Sequence, residues 1–305
     1  MTPRTVLFVG HTGRAAALSS VRAAAQQFSK AGVQVRVLAD EAADLDLDDV
    51  EVVERSESPA AGTEVVVVFG GDGTLLRAAE LARGTHTPLL GVNLGHVGFL
   101  AEAESDALEA TVDRVASNDY VVEERLTLDV TVSVDGQVVD RTWALNEAAV
   151  EKASRNRMLE LVAEVDDRPV SRWGCDGVVM ATPTGSTAYA FSAGGPVVWP
   201  EVEALLLVPI SAHALFSRPL VVSPDSVLAV EVISQTAGAG VLWCDGRRTV
   251  DLPFGARIEA RRGVEPVLFA RLHTAPFTDR LVAKFDLPVR GWRAARHLEG
   301  DRPDA

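Results

Sequence analysis

The chain has 305 residues, 47% hydrophobic and 24% charged, enough for a sizeable core in two ordinary domains or one large one. Its formal charge of −14 repels polyanions and argues against a nucleic-acid or anionic-membrane surface, though not against a phosphate held by a local nest of backbone N–H groups. No run of about 18 apolar residues occurs, and a glycine ends the first apolar stretch too early for a signal peptide, so the expectation is a soluble cytoplasmic protein.

The first third alternates strand and helix signals. Residues 6–9 read as a short buried strand, and Ala15–Lys30 as a helix with Leu18, Val21 and Phe28 on one face. A second strand is expected over 33–38. Residues 40–49 are crowded with acids and read as a solvated loop. Four valines and a phenylalanine over 64–69 fit a strand buried on both faces, followed by a glycine cluster, a helix over 75–83 and a strand over 88–92. This alternation predicts a parallel sheet with helices on its faces.

The pattern changes near residues 118–121. Leu128, Val130, Val132 and Val134 alternate with polar residues, and Asp135-Gly136 supplies a hairpin turn. Further strands are expected over 142–145, 158–165, 178–181, 205–209, 220–222, 227–233, 241–244, 257–260 and 267–272, which predicts a layered β domain. Residues 284–296 regain helical character. The reading is an α/β N-terminal domain over 1–119, Rossmann-like or phosphofructokinase-like, and an all-β, sandwich-like domain over 120–283. The segment 284–305 is expected to pack back on the first domain.

Gly70-Gly71-Asp72-Gly73-Thr74 lies between the valine strand and the next helix. Glycines let backbone approach a phosphate, and a helix start presents N–H groups and a positive dipole end. A carboxylate there would repel phosphate, so Asp72 serves some other purpose. It could take a hydroxyl proton, hold Mg²⁺, or simply cap a tight strand-to-helix turn. A second glycine-rich turn spans 91–100 and includes Asn93, Gly95, Gly98, Phe99 and Leu100. Asn146-Glu147 sets an amide beside a carboxylate, a pair suited to ribose hydroxyls. Asp176-Gly177 precedes an apolar strand that opens into a long uncharged run over 182–196, rich in hydroxyls and glycine, with Tyr189 as an aromatic face.

Other patterns lead nowhere. No GxxxxGK[ST] exists, the spacing of Gly10 and Gly13 is wrong for a dinucleotide fingerprint, and residues 190–194 imitate a nucleophile elbow without the strand it needs. Cys175 and Cys244 are in no metal-ligand spacing and read as reduced core thiols. His213 lacks a partner at ligand spacing.

Taken together the motifs resemble those of the bacterial NAD kinases: the GGDGT turn, the N-x-G-x-x-GFL turn, the Asn-Glu pair, the DG…TPTGSTAY…SAGGP segment and the "RPL" stretch over 209–220 occur in that order. The likeness covers roughly residues 60–250. GGDGT alone is shared with lipid kinases and 6-phosphofructokinases, so a lipid or sugar kinase is one alternative and a non-catalytic dinucleotide-binding module another. The resemblance implies phosphorylation of NAD to NADP by ATP or inorganic polyphosphate, with Mg²⁺ on the donor, in a homodimer or homotetramer. It makes Asp72 the candidate general base. It also assigns NAD contacts to Asp72, Gly73, Arg77, Asn146, Glu147, Arg157, Gly174, Asp176, Thr187, Ala188, Tyr189, Ala190, Phe191, Ser192 and Arg247. Arg77 would meet phosphate or the donor, Tyr189 would lie near a base, and Gly174 could contribute backbone only.

Overall fold

The computed structural model describes residues 4–10, 15–55, 58–93, 98–100, 103–104, 108–233, 239–272 and 276–289. The chain divides into two compact units, one of Met1–Val122 with Ala270–Ala305 and one of Glu123–Phe269.

The first unit begins β1 (Thr5–Gly10), α1 (Ala15–Lys30), β2 (Gln34–Leu38), α2 (Ala39–Leu45) and β3 (Glu51–Val53). It continues with β4 (Val65–Phe69), α3 (Asp72–Ala82), β5 (Leu89–Asn93), β6 (Ala103–Glu104), α4 (Leu108–Ala116) and β7 (Val121–Arg125). The second unit is almost all strand: β8 (Leu128–Val134), β9 (Gln137–Ala144), β10 (Glu147–Lys152), β11 (Leu159–Val165), β12 (Arg168–Cys175) and β13 (Gly177–Ala181). A 3₁₀ turn (Thr184–Thr187) and α5 (Tyr189–Ser192) interrupt it before β14 (Leu205–Ile210), β15 (Leu220–Val222), β16 (Leu228–Val232), β17 (Gly240–Cys244), β18 (Arg248–Leu252) and β19 (Arg257–Arg262). Then come β20 (Val267–Arg271) and α6 (Phe277–Phe285).

One eight-stranded sheet runs in the order β3-β2-β1-β4-β5-β20-β7, with β6 beside β5. The pairs among β1 to β6 are parallel. Its central strand β4 is apolar at every position because both faces are covered. Val6, Phe8, Val65, Val67 and Phe69 pack with Val21, Ala24 and Phe28 of α1 and Leu108, Val112 and Val115 of α4. The alternate residues Leu7, Val9, Val66 and Val68 are equally buried.

The second unit holds two six-stranded antiparallel sheets, β15-β14-β13-β10-β17-β18 and β12-β11-β16-β19-β8-β9. Strands β8 and β11 alternate buried and partly exposed residues, as a sheet with one covered face requires. Their inward residues join Trp173, Val178, Met180, Leu207 and Ile258 in one core. Strands β13 and β14 are buried at nearly every position, because Val179, Ala181, Leu206 and Val208 form a second apolar layer under Ala190 of α5. That layer fixes the hydroxyl-rich segment against the sheet.

One local expectation needs correction. The acidic stretch after β2 forms α2 instead of a solvated loop, and Glu41 within it is 2% exposed. The run over 184–192 is helical, a 3₁₀ turn leading into α5. The hairpin at Asp135-Gly136 has both residues at positive φ, 51° and 74°, the backbone of a type I′ turn. Residues 11–14, 94–97 and 290–305, which carry parts of three expectations, lie outside the described residues.

Candidate active site

The register pairs Gly10 with Phe69 and Phe69 with Val92, so the carboxyl ends of β1, β4 and β5 lie side by side in the sheet. Open parallel sheets bind ligands at these carboxyl ends. Helix α3 begins at Asp72 itself; the N-cap position is Gly71, extended and without a side-chain cap. Asp72 is therefore not a capping residue. Its carboxylate crosses to the next turn, where it accepts the Leu100 amide at 3.2 Å and the Phe99 amide at 3.4 Å. A Cβ on Gly98 would lie 2.5 Å from Asp72 Oδ1, and one on Gly70 would overlap Thr74 Oγ1. A side chain at Gly98 would displace the Asp72 carboxylate, and one at Gly70 the Thr74 side chain.

The turn that receives Asp72 is braced from behind. The Phe99 ring stacks on Phe277 at 5.8 Å and sits 5.8 Å from Phe285, both on α6. Arg280 donates to the Phe99 carbonyl at 3.3 Å and Arg271 to the Leu100 carbonyl at 3.4 Å. Helix α6 thus packs on this turn; of the helix expected over 284–296, residues 284–285 end α6, 286–289 are not helical and the rest lie outside the described residues. Gly73 is exposed on the first turn of α3. Arg77, half-buried one turn later, donates to the Gly10 carbonyl at 2.6 Å and pairs with Glu41 at 2.6 Å.

In the second unit, Asn146 and Glu147 stand at the start of β10 and are each 7% exposed. They are held by Asp245, whose carboxylate accepts the amides of Leu145, Asn146 and Glu147 at 3.0, 2.7 and 3.3 Å. Arg248 pairs with Asp245 at 2.8 Å and lies 4.6 Å from the centre of the Trp143 ring. Thr182 accepts the Gly185 amide at 3.1 Å, and its own amide donates to the Asn146 carbonyl at 2.9 Å. A Cβ on Gly185 would overlap that same carbonyl. The 3₁₀ turn therefore lies directly on Asn146.

Burial, and then the charge of Asp245, push the Glu147 carboxyl up to about 8. Asp245 is raised by burial too, but three amides and Arg248 favour its anion. The proton of this pair rests on Glu147, which can then donate as well as accept. The Tyr189 amide reaches Glu147 Oε2 at 3.4 Å, and the Tyr189 hydroxyl donates to Glu151. Asp176 pairs with Lys152, whose ammonium holds its carboxyl below the usual range. Gly174 accepts the His213 amide at 2.9 Å.

Of the remaining residues singled out in the sequence, Thr187 and Ala188 are partly exposed at the join of the 3₁₀ turn and α5. Ala190 is buried beneath that helix, and Phe191 and Ser192 are exposed on it. Arg247 is exposed in the β17–β18 turn and Arg157 in the connection from β10 to β11. The structure thus gathers Tyr189 and the 3₁₀ turn against Asn146 and Glu147, whose backbone Asp245 holds.

A family model for the ATP-NAD kinase N-terminal domain matches residues 6–120, and one for the C-terminal domain matches residues 145–272. The chain belongs to the NAD kinase family. It is 64% identical over 296 residues to "NAD kinase 2" of Streptomyces avermitilis, covering 96% of this chain and 98% of that protein. It is 62% identical over 301 residues to the NAD kinase of Thermobifida fusca, covering 96% and 92%. Among solved structures, an NAD kinase from Archaeoglobus fulgidus in complex with ATP is similar at a TM-score of 0.70 and 27% identity, covering 93% of this chain and 98% of that one. Yeast NADH kinase complexed with NADH shares the fold at a TM-score of 0.86 and 23% identity, covering 95% and 90%.

Two residues of these sites carry no motif in the sequence. Asp245 has one local signal, an acid at the end of an apolar strand. Glu41 was hidden among six acidic residues over 40–49.

Proposed function

We propose that this enzyme transfers a phosphoryl group from ATP or inorganic polyphosphate to the adenosine 2′-hydroxyl of NAD. The observation that carries the reading is the Asp72 carboxylate, set in a phosphate-type turn yet held by the amides of Phe99 and Leu100. A phosphate loop gains nothing from an acid unless the acid handles a proton or a cation. In the reaction a bond forms between the 2′-oxygen and the terminal phosphorus, and the bond from that phosphorus to the donor's bridging oxygen breaks. The hydroxyl proton passes to Asp72, and ADP or a shortened polyphosphate leaves. Such transfer asks the protein mainly for positioning and charge neutralisation.

Asn146 and a protonated Glu147 take the adenosine end of NAD, a role supported by their burial on the Asp245 anchor. Asp176, Gly174 and the segment from Thr187 to Ser192 line the rest of the dinucleotide, with Arg157 and Arg247 at the exposed margin. Arg77 meets phosphate, with Gly73 offering backbone beside it. Mg²⁺ would neutralise the donor. Among the described residues no group of three or more His, Cys, Asp or Glu is gathered as metal ligands.

The enzyme is cytoplasmic in this reading, supported by two unpaired buried cysteines whose thiols burial pushes up to about 12. No helix among the described residues is long and apolar enough to cross a membrane. Assembly as a homodimer or homotetramer is supported by exposed apolar side chains, among them Leu215, Phe216, Trp199 and Val264. The test is to incubate the purified protein with Mg²⁺, NAD and either ATP or polyphosphate, and to assay NADP with an NADP-specific dehydrogenase. NADP formation is expected; NAD binding without NADP would leave a non-catalytic module.

A further inference from the structure

We propose that Glu41 is a positioning residue that aims Arg77 at the phosphate chain of a bound substrate; this rests on the phosphate-binding role given to Arg77 above. Glu41 sits in α2 among acids that mostly face solvent, yet its own side chain is only 3% exposed. A carboxylate withdrawn from water persists only with partners. Glu41 Oε2 accepts the Gly10 amide at 2.9 Å, and Oε1 faces Arg77 Nη2 at 2.6 Å. The same Nη2 donates to the Gly10 carbonyl at 2.6 Å. One acid therefore grips both the peptide at the end of β1 and the guanidinium on α3.

Stability alone does not account for this. A buried ion pair can be exchanged for apolar side chains of similar volume without loss of stability, so its presence is weak evidence of a folding role. Its location is informative: Gly10 pairs in register with Phe69, the residue before the glycine turn, and Arg77 follows Asp72 by five residues on the same helix. The triangle lies where a parallel sheet receives its ligand. An arginine anchored at one nitrogen gives up its rotamer freedom before the ligand arrives, which favours capture of a phosphate. The phosphates could belong to the donor or to the dinucleotide.

The test is steady-state kinetics and melting temperature for Glu41→Ala, Glu41→Gln, Arg77→Ala and the double variant Glu41→Ala/Arg77→Ala. Arg77→Ala should raise the KM of one phosphate-bearing substrate, and Glu41→Ala should raise the same KM about tenfold, with kcat at saturation changed far less. A rise for ATP or polyphosphate identifies the donor; a rise for NAD identifies the dinucleotide. The double variant should be no worse than Arg77→Ala, since Glu41 acts through that residue. Glu41→Gln keeps an acceptor for the Gly10 amide, so it should fold even where Ala does not, with a smaller rise in the same KM. Unchanged KM values in both Glu41 variants, or losses that add to that of Arg77→Ala, would overturn the proposal. Unchanged KM values in Arg77→Ala would overturn the phosphate role of Arg77 as well, while leaving NADP formation and its dependence on Asp72 intact.

Discussion

The amide of Leu100 donates to the carboxylate of Asp72 at 3.2 Å across 28 residues of chain. The bond joins two glycine-rich turns that leave adjacent parallel strands, and it sets the direction in which the acid points. Catalysis by a positioned base depends on that direction, because a misplacement of about 1 Å costs on the order of 100-fold in rate.

Gly98→Ala tests the placement without touching the acid. A Cβ there would meet Asp72 Oδ1, the far end of that side chain, at 2.5 Å. The carboxylate must give way. We expect kcat to fall by roughly 10- to 100-fold with a melting temperature near wild type. An unchanged kcat would show that the orientation of Asp72 is not limiting.

Phe277→Ala removes the ring stacked on Phe99 from α6. The side chain is only partly buried, so the loss of stability should be modest, but the turn holding Asp72 loosens. A several-fold fall in kcat is expected, with the KM for NAD changed less. A fall in melting temperature at constant kcat would make α6 a purely structural brace.

These features divide by what a sequence can show. The turn around Asp72 was legible because its glycines, its acid and the valine strand before it are neighbours in the chain. The partners of Asp72 at Phe99 and Leu100 were not, since only the register of β4 with β5 brings them together. Glu41 and Asp245 were missed for the same reason: the first is buried by contacts with Gly10 and Arg77, the second by the amides of residues 145–147. Strand β12 went unseen because its hairpin turns at Asp166 and Asp167, both at positive φ without a glycine to announce it.

Glu147 gives the fold a dependence on pH. Its carboxyl lies at about 8 when folded, raised by burial and by Asp245, against an ordinary value of 4.5. Between those values the folded state holds a proton that the unfolded state has released, so this group's contribution to stability is complete below about 4.5 and declines as pH rises toward 8. Melting temperature should fall over that window in the wild type, and the fall should be shallower in Glu147→Gln. Identical slopes would place the proton elsewhere, Asp245 being the facing acid and Arg248 its cation.

Asn146→Ala should weaken NAD affinity by about tenfold or more while the melting temperature moves little, because Asp245 and Thr182 hold residue 146 by its backbone. Titration calorimetry with NAD beside thermal unfolding checks this. Joint loss of folding and binding would make Asn146 structural.

The most direct measurement is the turnover of Asp72→Asn alongside its affinity for NAD. The amide keeps the shape of the side chain but cannot take the hydroxyl proton. Removal of a general base lowers kcat by about two to four orders of magnitude, and that loss is predicted here with NAD binding largely preserved. Near wild-type NADP formation by Asp72→Asn would contradict the account.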